Sequence, residues 1–263
     1  MERDLFLVEG RLWDQYRKEI DSSIKRQFDA LEDSELSIDS FGFYTSVSAV
    51  FSSKIEGEVI DLDSYIKYKR FQIEFQPDYT RKIDDLYDAY VFAQGNALNA
   101  TNIESAHAQI TKHMLNNMQQ GKLRKGQMFV LTKDGRIEYV AVAPDRLKTE
   151  MHKFYHDLEC LLTAELSFEE AFFYASMLHL VFVKIHPFDD GNGRTARLIE
   201  KWFLAQKLGA KAWFVQSERN YYNKLQTYYS NIRRLGLDYD ELRYEEAMPF
   251  LRMLPEALFC GGE

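Results

Sequence analysis

Between residues 167 and 209 the sequence prescribes two helices and a sharp turn joining them. Ser167 and Glu170 have the S-x-x-E spacing of a capping box, set just ahead of an apolar run from Ala171 to Val183. That run is about 13 residues long and contains Ser176 and His179, too short and too polar to cross a bilayer, so it reads as a buried helix. Pro187 ends it, and because proline disfavours helical backbone in the residue before it, His186 is expected to leave the helix and project into a turn. A second helix is expected from Asn192 or Gly193 to Gly209, with Leu198, Trp202 and Ala205 on one face and Ile199 and Phe203 adjoining it. The segment HPFDDGNGRTAR, His186 to Arg197, therefore fills the junction.

The rest of the chain is mainly helical by pattern. Only 5 Pro and 13 Gly interrupt 263 residues, and 19 Phe and 16 Tyr provide the bulk for dense helix packing. Further helices are expected at 11–29, 40–56, 81–98, 102–119, 145–163 and 218–234. Met128 to Val142 departs from this, with two β-prone runs around the turn signal Lys133-Asp134-Gly135, as in a hairpin. The acidic stretch 29–40 reads as an interhelical loop. The simplest organisation is one helical bundle with a small β-hairpin: an N-terminal helical region (1–85), a core (86–235) and a C-terminal extension (236–263) packed on the core.

With 33 basic against 41 acidic residues, the formal charge of −8 argues against non-specific nucleic-acid binding. Cys160 and Cys260 lack metal-ligand spacing, which points to reduced thiols in a cytoplasmic protein. The charged N-terminus lacks the apolar stretch of a signal peptide, and no membrane segment is expected.

The chemistry concentrates in the junction. Gly191 and Gly193 let the backbone approach an anion, and the free N–H groups opening the next helix point at the same place, so phosphate is the natural ligand. Arg194 and Arg197 share a face within that helix's first turn, where the helix dipole disfavours cations unless an anion is bound. Asp190 is suited to Mg²⁺, which takes one or two carboxylates and completes its shell with phosphate oxygens and water; Asp189 is the poorer ligand. His186, titrating near neutrality beside the nest, can take a proton from an attacking hydroxyl. Phe188 anchors the loop in the core.

HPFDDGNGRTAR matches without a gap the signature His-x-Phe-x-Asp/Glu-Gly-Asn-Gly-Arg-x-x-Arg, and the chain resembles the Fic (Fic/Doc) family on this basis. The resemblance implies a Fic-fold helical bundle that transfers AMP from ATP, with Mg²⁺, to a Ser, Thr or Tyr hydroxyl of a protein, either a partner or the chain itself. It makes His186 the base, Asp190 the metal ligand, Asn192 with the Gly191 and Gly193 backbone the phosphate cradle, and Arg194 and Arg197 the phosphate clamps. The phosphorylating Doc-like branch has Lys where this chain has Gly193, which argues for AMP transfer here. The hairpin resembles the Fic flap, able to align a target by β-strand addition, although an ordinary surface hairpin fits nearly as well. Tyr222 resembles an adenine-contacting Tyr of some relatives, with packing as the alternative.

Ser52-Ser53-Lys54-Ile55-Glu56-Gly57 matches the inhibitory motif Ser/Thr-x-x-x-Glu-Gly/Asn of class II members, on a helix at about 40–57. Ser52 and Glu56 lie one turn apart on one face, and Gly57 terminates the helix. The resemblance pairs Glu56 with Arg197 at the γ-phosphate position, giving an autoinhibited enzyme. Two alternatives stay open: removal of AMP with Glu56 orienting water, and nucleotide binding without turnover. A zinc hydrolase is disfavoured, because Lys153 stands between His152 and His156 where a metalloprotease has Glu. His179 reads as a core histidine, and Lys122-Leu123-Arg124-Lys125 and Arg233-Arg234 as solvated basic clusters. The residues after Arg234 are too few for a winged-helix domain. The sequence leaves open whether the chain forms a homo-oligomer.

Overall fold

In the computed structural model the helix Phe168–Ile185 begins at the capping box read from the sequence: the Ser167 hydroxyl accepts from Glu170 N–H and the Glu170 carboxylate from Ser167 N–H. The structure describes residues 4–8, 10–31, 40–71, 77–131, 135 and 137–259. In chain order these form helices α1 (Trp13–Glu19), α2 (Ile24–Asp29), α3 (Ser40–Ile55), α4 (Leu62–Phe71), α5 (Pro77–Gly95) and α6 (Ala100–Ile110). Strands β1 (Phe129–Leu131) and β2 (Ile137–Val140) follow, then α7 (Pro144–Thr163), α8 (Phe168–Ile185), α9 (Asn192–Leu208), α10 (Ser217–Asn223), α11 (Leu225–Arg233), α12 (Met248–Leu251) and α13 (Met253–Glu256). The mainly helical bundle with one antiparallel hairpin agrees with the sequence reading.

Helix α8 is the axis of the core. Residues 171–182 are all buried, the signature of a helix surrounded by others rather than one facing solvent. Phe172, Phe173 and Phe182 bury whole rings, each contributing roughly 1.5–3 kcal/mol. Helix α9 packs closely against α8 and ends at Gly209, whose positive φ and cap bond to Ala205 stop the helix as expected. Helix α3 packs on α5 and α10 and reaches α9 with its C-terminal turns.

Several elements differ from the sequence expectation for local reasons. The helix expected at 11–29 is two, because Ile20 turns extended and Asp21 accepts from Ser23 N–H in a tight turn. The helix expected at 102–119 ends at Ile110, where the Thr111 hydroxyl donates back to His107 O and the chain continues as successive turns to Gly121. The helix expected at 218–234 breaks at Lys224. Helix α4, not anticipated, starts where Asp61 accepts from both Ser64 N–H and Ser64 O–H. Most of the acidic 29–40 stretch, and Lys133 and Asp134 of the hairpin turn, lie outside the described residues.

The hairpin is held at one side by the C-terminal segment: Val140 N–H donates to Leu237 O, and Val140 bridges Asp238 in parallel. Arg233 pairs with Glu138 on the hairpin. Residues 237–259 pack onto the core, with Phe250 against His179 and Asn220 donating to Met253 O. No helix among the described residues is long and apolar enough to cross a membrane.

Candidate active site

The α8–α9 junction bends at His186, the sole non-glycine residue with positive φ among those described, at φ 52°. Pro187 disfavours the right-handed helical region there, and the left-handed cap turns the imidazole out of the helix line. Such strain persists because neighbours over-determine it. Arg124 Nε donates to His186 O, Arg124 N–H to Pro187 O, and the Arg124 guanidinium also reaches the Gly126 and Val142 carbonyls. Arg124 is therefore a buried brace of the loop, correcting its reading as part of a solvated cluster; Lys122 and Lys125 are exposed.

His186 Nδ1 lies 3.2 Å from Val183 O, and a carbonyl can only accept, so Nδ1 carries the proton and Nε2 keeps a free lone pair. Burial pushes the imidazole below its ordinary pKa and the Arg124 charge lowers it further, so the neutral, proton-accepting form prevails at neutral pH.

Asn192 spans the loop, accepting from Phe188 N–H at 2.9 Å and donating to Phe188 O at 2.8 Å. Its side chain is thus committed to the loop, which leaves its backbone N–H at the start of α9 as the group that could meet an anion. Thr195 N–H is the first to bond back, to Gly191 O, leaving the N–H groups before it available to an anion. Gly191 has φ 75°, and a Cβ on it would lie 2.7 Å from Thr111 Cγ2. A Cβ on Gly193 would lie 2.6 Å from Glu56 Oε1 and 3.2 Å from Arg197 Nη1, so the glycine makes room for that pair.

Arg194 is buried, its Nε without a hydrogen-bond partner among the described residues and its Nη2 at 4.0 Å from Glu58. A desolvated donor of this kind is suited to an anion. Arg197 is engaged: Nη2 donates to Glu56 Oε1 at 2.6 Å and to Ser52 O, Nε to the Ser52 hydroxyl, and Nη1 to Tyr228 OH. Burial works against the Glu56 charge, but Arg197 and Arg194 outweigh it and hold the carboxyl below its ordinary pKa. Gly57, at φ 96°, ends the turn beyond α3.

Asp190 is exposed, one carboxylate oxygen accepting from Gly191 N–H and the other without a donor among the described residues. One open carboxylate next to a phosphate nest suits Mg²⁺, which draws its other ligands from phosphate and water. Asp189 is instead tied to Gln119. Among the described residues no group of three His, Cys, Asp or Glu side chains could hold a metal alone; His152 is exposed and His156 packs on Phe6.

His186, Gly193, Arg197 and Glu56 face one cavity of about 570 Å³, walled on the hairpin side by Val130 and Tyr139, whereas Asp190, Gly191, Asn192 and Arg194 are not among its lining residues. Tyr222 does not line it. Tyr222 faces an adjoining cavity, with the Lys54 ammonium 4.8 Å from its ring centre, and the two cavities share Lys54, Gly57 and Leu225.

Residues 97–204, from the N-terminal end of α6 into α9, match the Fic/DOC family. The chain carries a Fic/DOC family domain. A protein adenylyltransferase Fic from Nematostella vectensis is 29% identical over 142 residues, 54% of this chain and 27% of that protein. A uridine 5'-monophosphate transferase from Xanthomonas campestris pv. campestris is 36% identical over 89 residues, 32% of this chain and 16% of that protein. The chain thus spans about a quarter or less of the length of these curated relatives. The crystal structure of a Fic family protein from Desulfovibrio desulfuricans superposes with a TM-score of 0.72 at 17% identity, covering 97% of this chain and 72% of that one, which shows the Fic fold.

Within the Fic/DOC domain, sequence reading passed over His107. It accepts from Gly121 N–H at Nδ1, so Nε2 carries the proton and donates to Asp190 O; its ring stacks on Phe188 at 3.6 Å. It shapes the loop from behind, and no local motif marks it. Tyr228 and Glu200 were also passed over; they join His179 in a buried network, so His179 is a core histidine with polar work.

Proposed function

We propose that this Fic/DOC domain is an autoinhibited protein adenylyltransferase, moving AMP from ATP to a Ser, Thr or Tyr hydroxyl of a protein target, which includes the chain itself. The observation that carries the reading is His186 Nε2, left free to accept a proton beside a phosphate nest whose second arginine is occupied by Glu56.

The cradle formed by the backbone N–H groups of Asn192 and Gly193, the turn at Gly191 and Arg194 suits the α-phosphate, and Arg197 suits the terminal phosphate; the Gly191 N–H itself is donated to Asp190. The target hydroxyl oxygen forms a bond to the α-phosphorus, the bond from that phosphorus to the pyrophosphate oxygen breaks, and His186 Nε2 takes the hydroxyl proton. Asp190 would hold Mg²⁺, which when bound would neutralise charge on the phosphates. The hairpin, which contributes Val130 and Tyr139 to the cavity wall, suits presentation of a target strand next to His186. Glu56 on Arg197 keeps the terminal phosphate from its clamp, so ATP binds unproductively until Glu56 leaves.

Incubating the wild-type, Glu56→Gly and His186→Ala proteins with labelled ATP and Mg²⁺ tests this. Labelling should rise in Glu56→Gly and vanish in His186→Ala, and unchanged labelling in both would overturn the proposal. Mass spectrometry of Glu56→Gly with each nucleoside triphosphate reads donor and group together: a gain of UMP, the group named in the Xanthomonas relative, would replace adenylyl by uridylyl transfer. Loss of turnover on a modified target in Glu56→Gly would point to AMP removal instead.

A further inference from the structure

Arg197 makes four hydrogen bonds to described residues, and three go to α3 and the turn after it: to the Ser52 hydroxyl, Ser52 O and Glu56 Oε1. The fourth goes to Tyr228 OH, at 3.3 Å, from α11. If Glu56 and Ser52 withdraw, Tyr228 is the partner that remains. Tyr228 OH accepts from Arg197 and gives its own proton to His179 Nε2 at 3.0 Å. His179 therefore carries its proton on Nδ1 and donates to Glu200 Oε2 at 2.7 Å, where Tyr221 OH donates as well, at 2.8 Å. His179, Glu200, Tyr221, Tyr228 and Arg197 are all buried. A guanidinium stripped of its carboxylate partner in such surroundings is costly unless another negative group is coupled to it.

We propose that Tyr228, His179 and Glu200 are positioning residues that hold the Arg197 guanidinium in its phosphate-binding pose after the inhibitory helix leaves, with Glu200 as its standing counter-charge through the tyrosine and the imidazole. The inference rests on the nucleotide reading of the site and adds to it what keeps the clamp in place once Glu56 is gone. The network links α8, α9 and α11, none of which carries Ser52 or Glu56.

The test is nucleotide binding in the Glu56→Gly background, measured by calorimetry with ATP and separately with AMP, which lacks the terminal phosphate. Adding Tyr228→Phe should raise the Kd for ATP about tenfold, the scale of a lost hydrogen bond to a charged group, and leave that for AMP unchanged. His179→Leu, which keeps Tyr228 but removes its acceptor, should show the same selective loss. Equal weakening of ATP and AMP, or no weakening of either, would overturn the positioning role. If Glu56→Gly itself bound no ATP, the nucleotide reading would fall and this inference with it. That outcome is separate from the others, because it appears before either second substitution is made.

Discussion

Glu56 Oε1 lies 2.6 Å from Arg197 Nη2, a pairing that ties the end of α3 to the first turns of α9 across 141 residues of chain. The two partners are unequally placed: the Arg197 side chain is 1% exposed and that of Glu56 is 28% exposed. Removing Glu56 therefore leaves a buried cation seeking an anion, the condition under which a phosphate binds. Ser52 holds the same guanidinium twice. Ser52→Ala removes one charge-assisted bond, worth roughly 1.5–3 kcal/mol, and should raise labelling from ATP above wild type yet below Glu56→Gly. Equal labelling in wild type and Ser52→Ala would show that the hydroxyl does not help to seat the helix.

Acid should not open this pair in the ordinary range. The folded-state pKa of Glu56 is held below 4.5, so the stabilisation is present above 4.5 and is lost only as pH falls through the depressed value. Wild-type labelling, scaled to that of Glu56→Gly at each pH, should stay flat between about pH 5 and 8. A rise of the ratio towards pH 5 would mean that another group governs release.

The pH dependence of turnover should report His186. Burial and Arg124 depress its pKa from 6.5, so the acid limb of kcat/KM in Glu56→Gly should lie below that value. An acid limb at or above 6.5 would assign the proton transfer to a different group or to a different environment for His186.

The junction was legible because its signals are local. Ser167, Glu170, Pro187 and Gly209 each act through bonds to neighbours in sequence, so the start, stop and turn of both helices follow from adjacent residue types. The Glu56–Arg197 pairing was legible only through resemblance, since no spacing rule links residues so far apart in sequence. Arg124 and His107 escaped for the opposite reason. Arg124 sits in a basic tetrapeptide whose ordinary meaning is solvation, and its burial is decided by carbonyls of residues 126, 142 and 186. Tyr222 carried a base-contacting expectation that depended on which of two adjoining cavities it would face, a matter of helix packing alone.

His107 gives stability a pH dependence of its own. Burial lowers its pKa from 6.5 to about 4, so the unfolded chain takes up a proton near 6.5 that the folded chain refuses. The stabilisation is present above 6.5 and is lost as pH falls towards 4. Between pH 7 and pH 5 this should cost about 2 kcal/mol, seen as a fall in the urea midpoint, and His107→Gln should flatten that fall. An identical slope in wild type and variant would remove His107 as its source.

Gly191 makes two demands that can be separated. A side chain there is strained by φ 75°, costing roughly 1–2 kcal/mol, and its Cβ would also meet Thr111 Cγ2 at 2.7 Å, an overlap costing roughly 1–3 kcal/mol. Gly191→Ala should therefore lower the unfolding free energy by about 2–5 kcal/mol. Thr111→Ser deletes the offending methyl while keeping the hydroxyl that donates to His107 O. The double variant should recover the overlap and keep the backbone penalty, ending between Gly191→Ala and Thr111→Ser in urea denaturation. Strict additivity of the two substitutions would show that the methyl and the new Cβ never meet, and that the loop yields at Gly191 instead of pressing against Thr111.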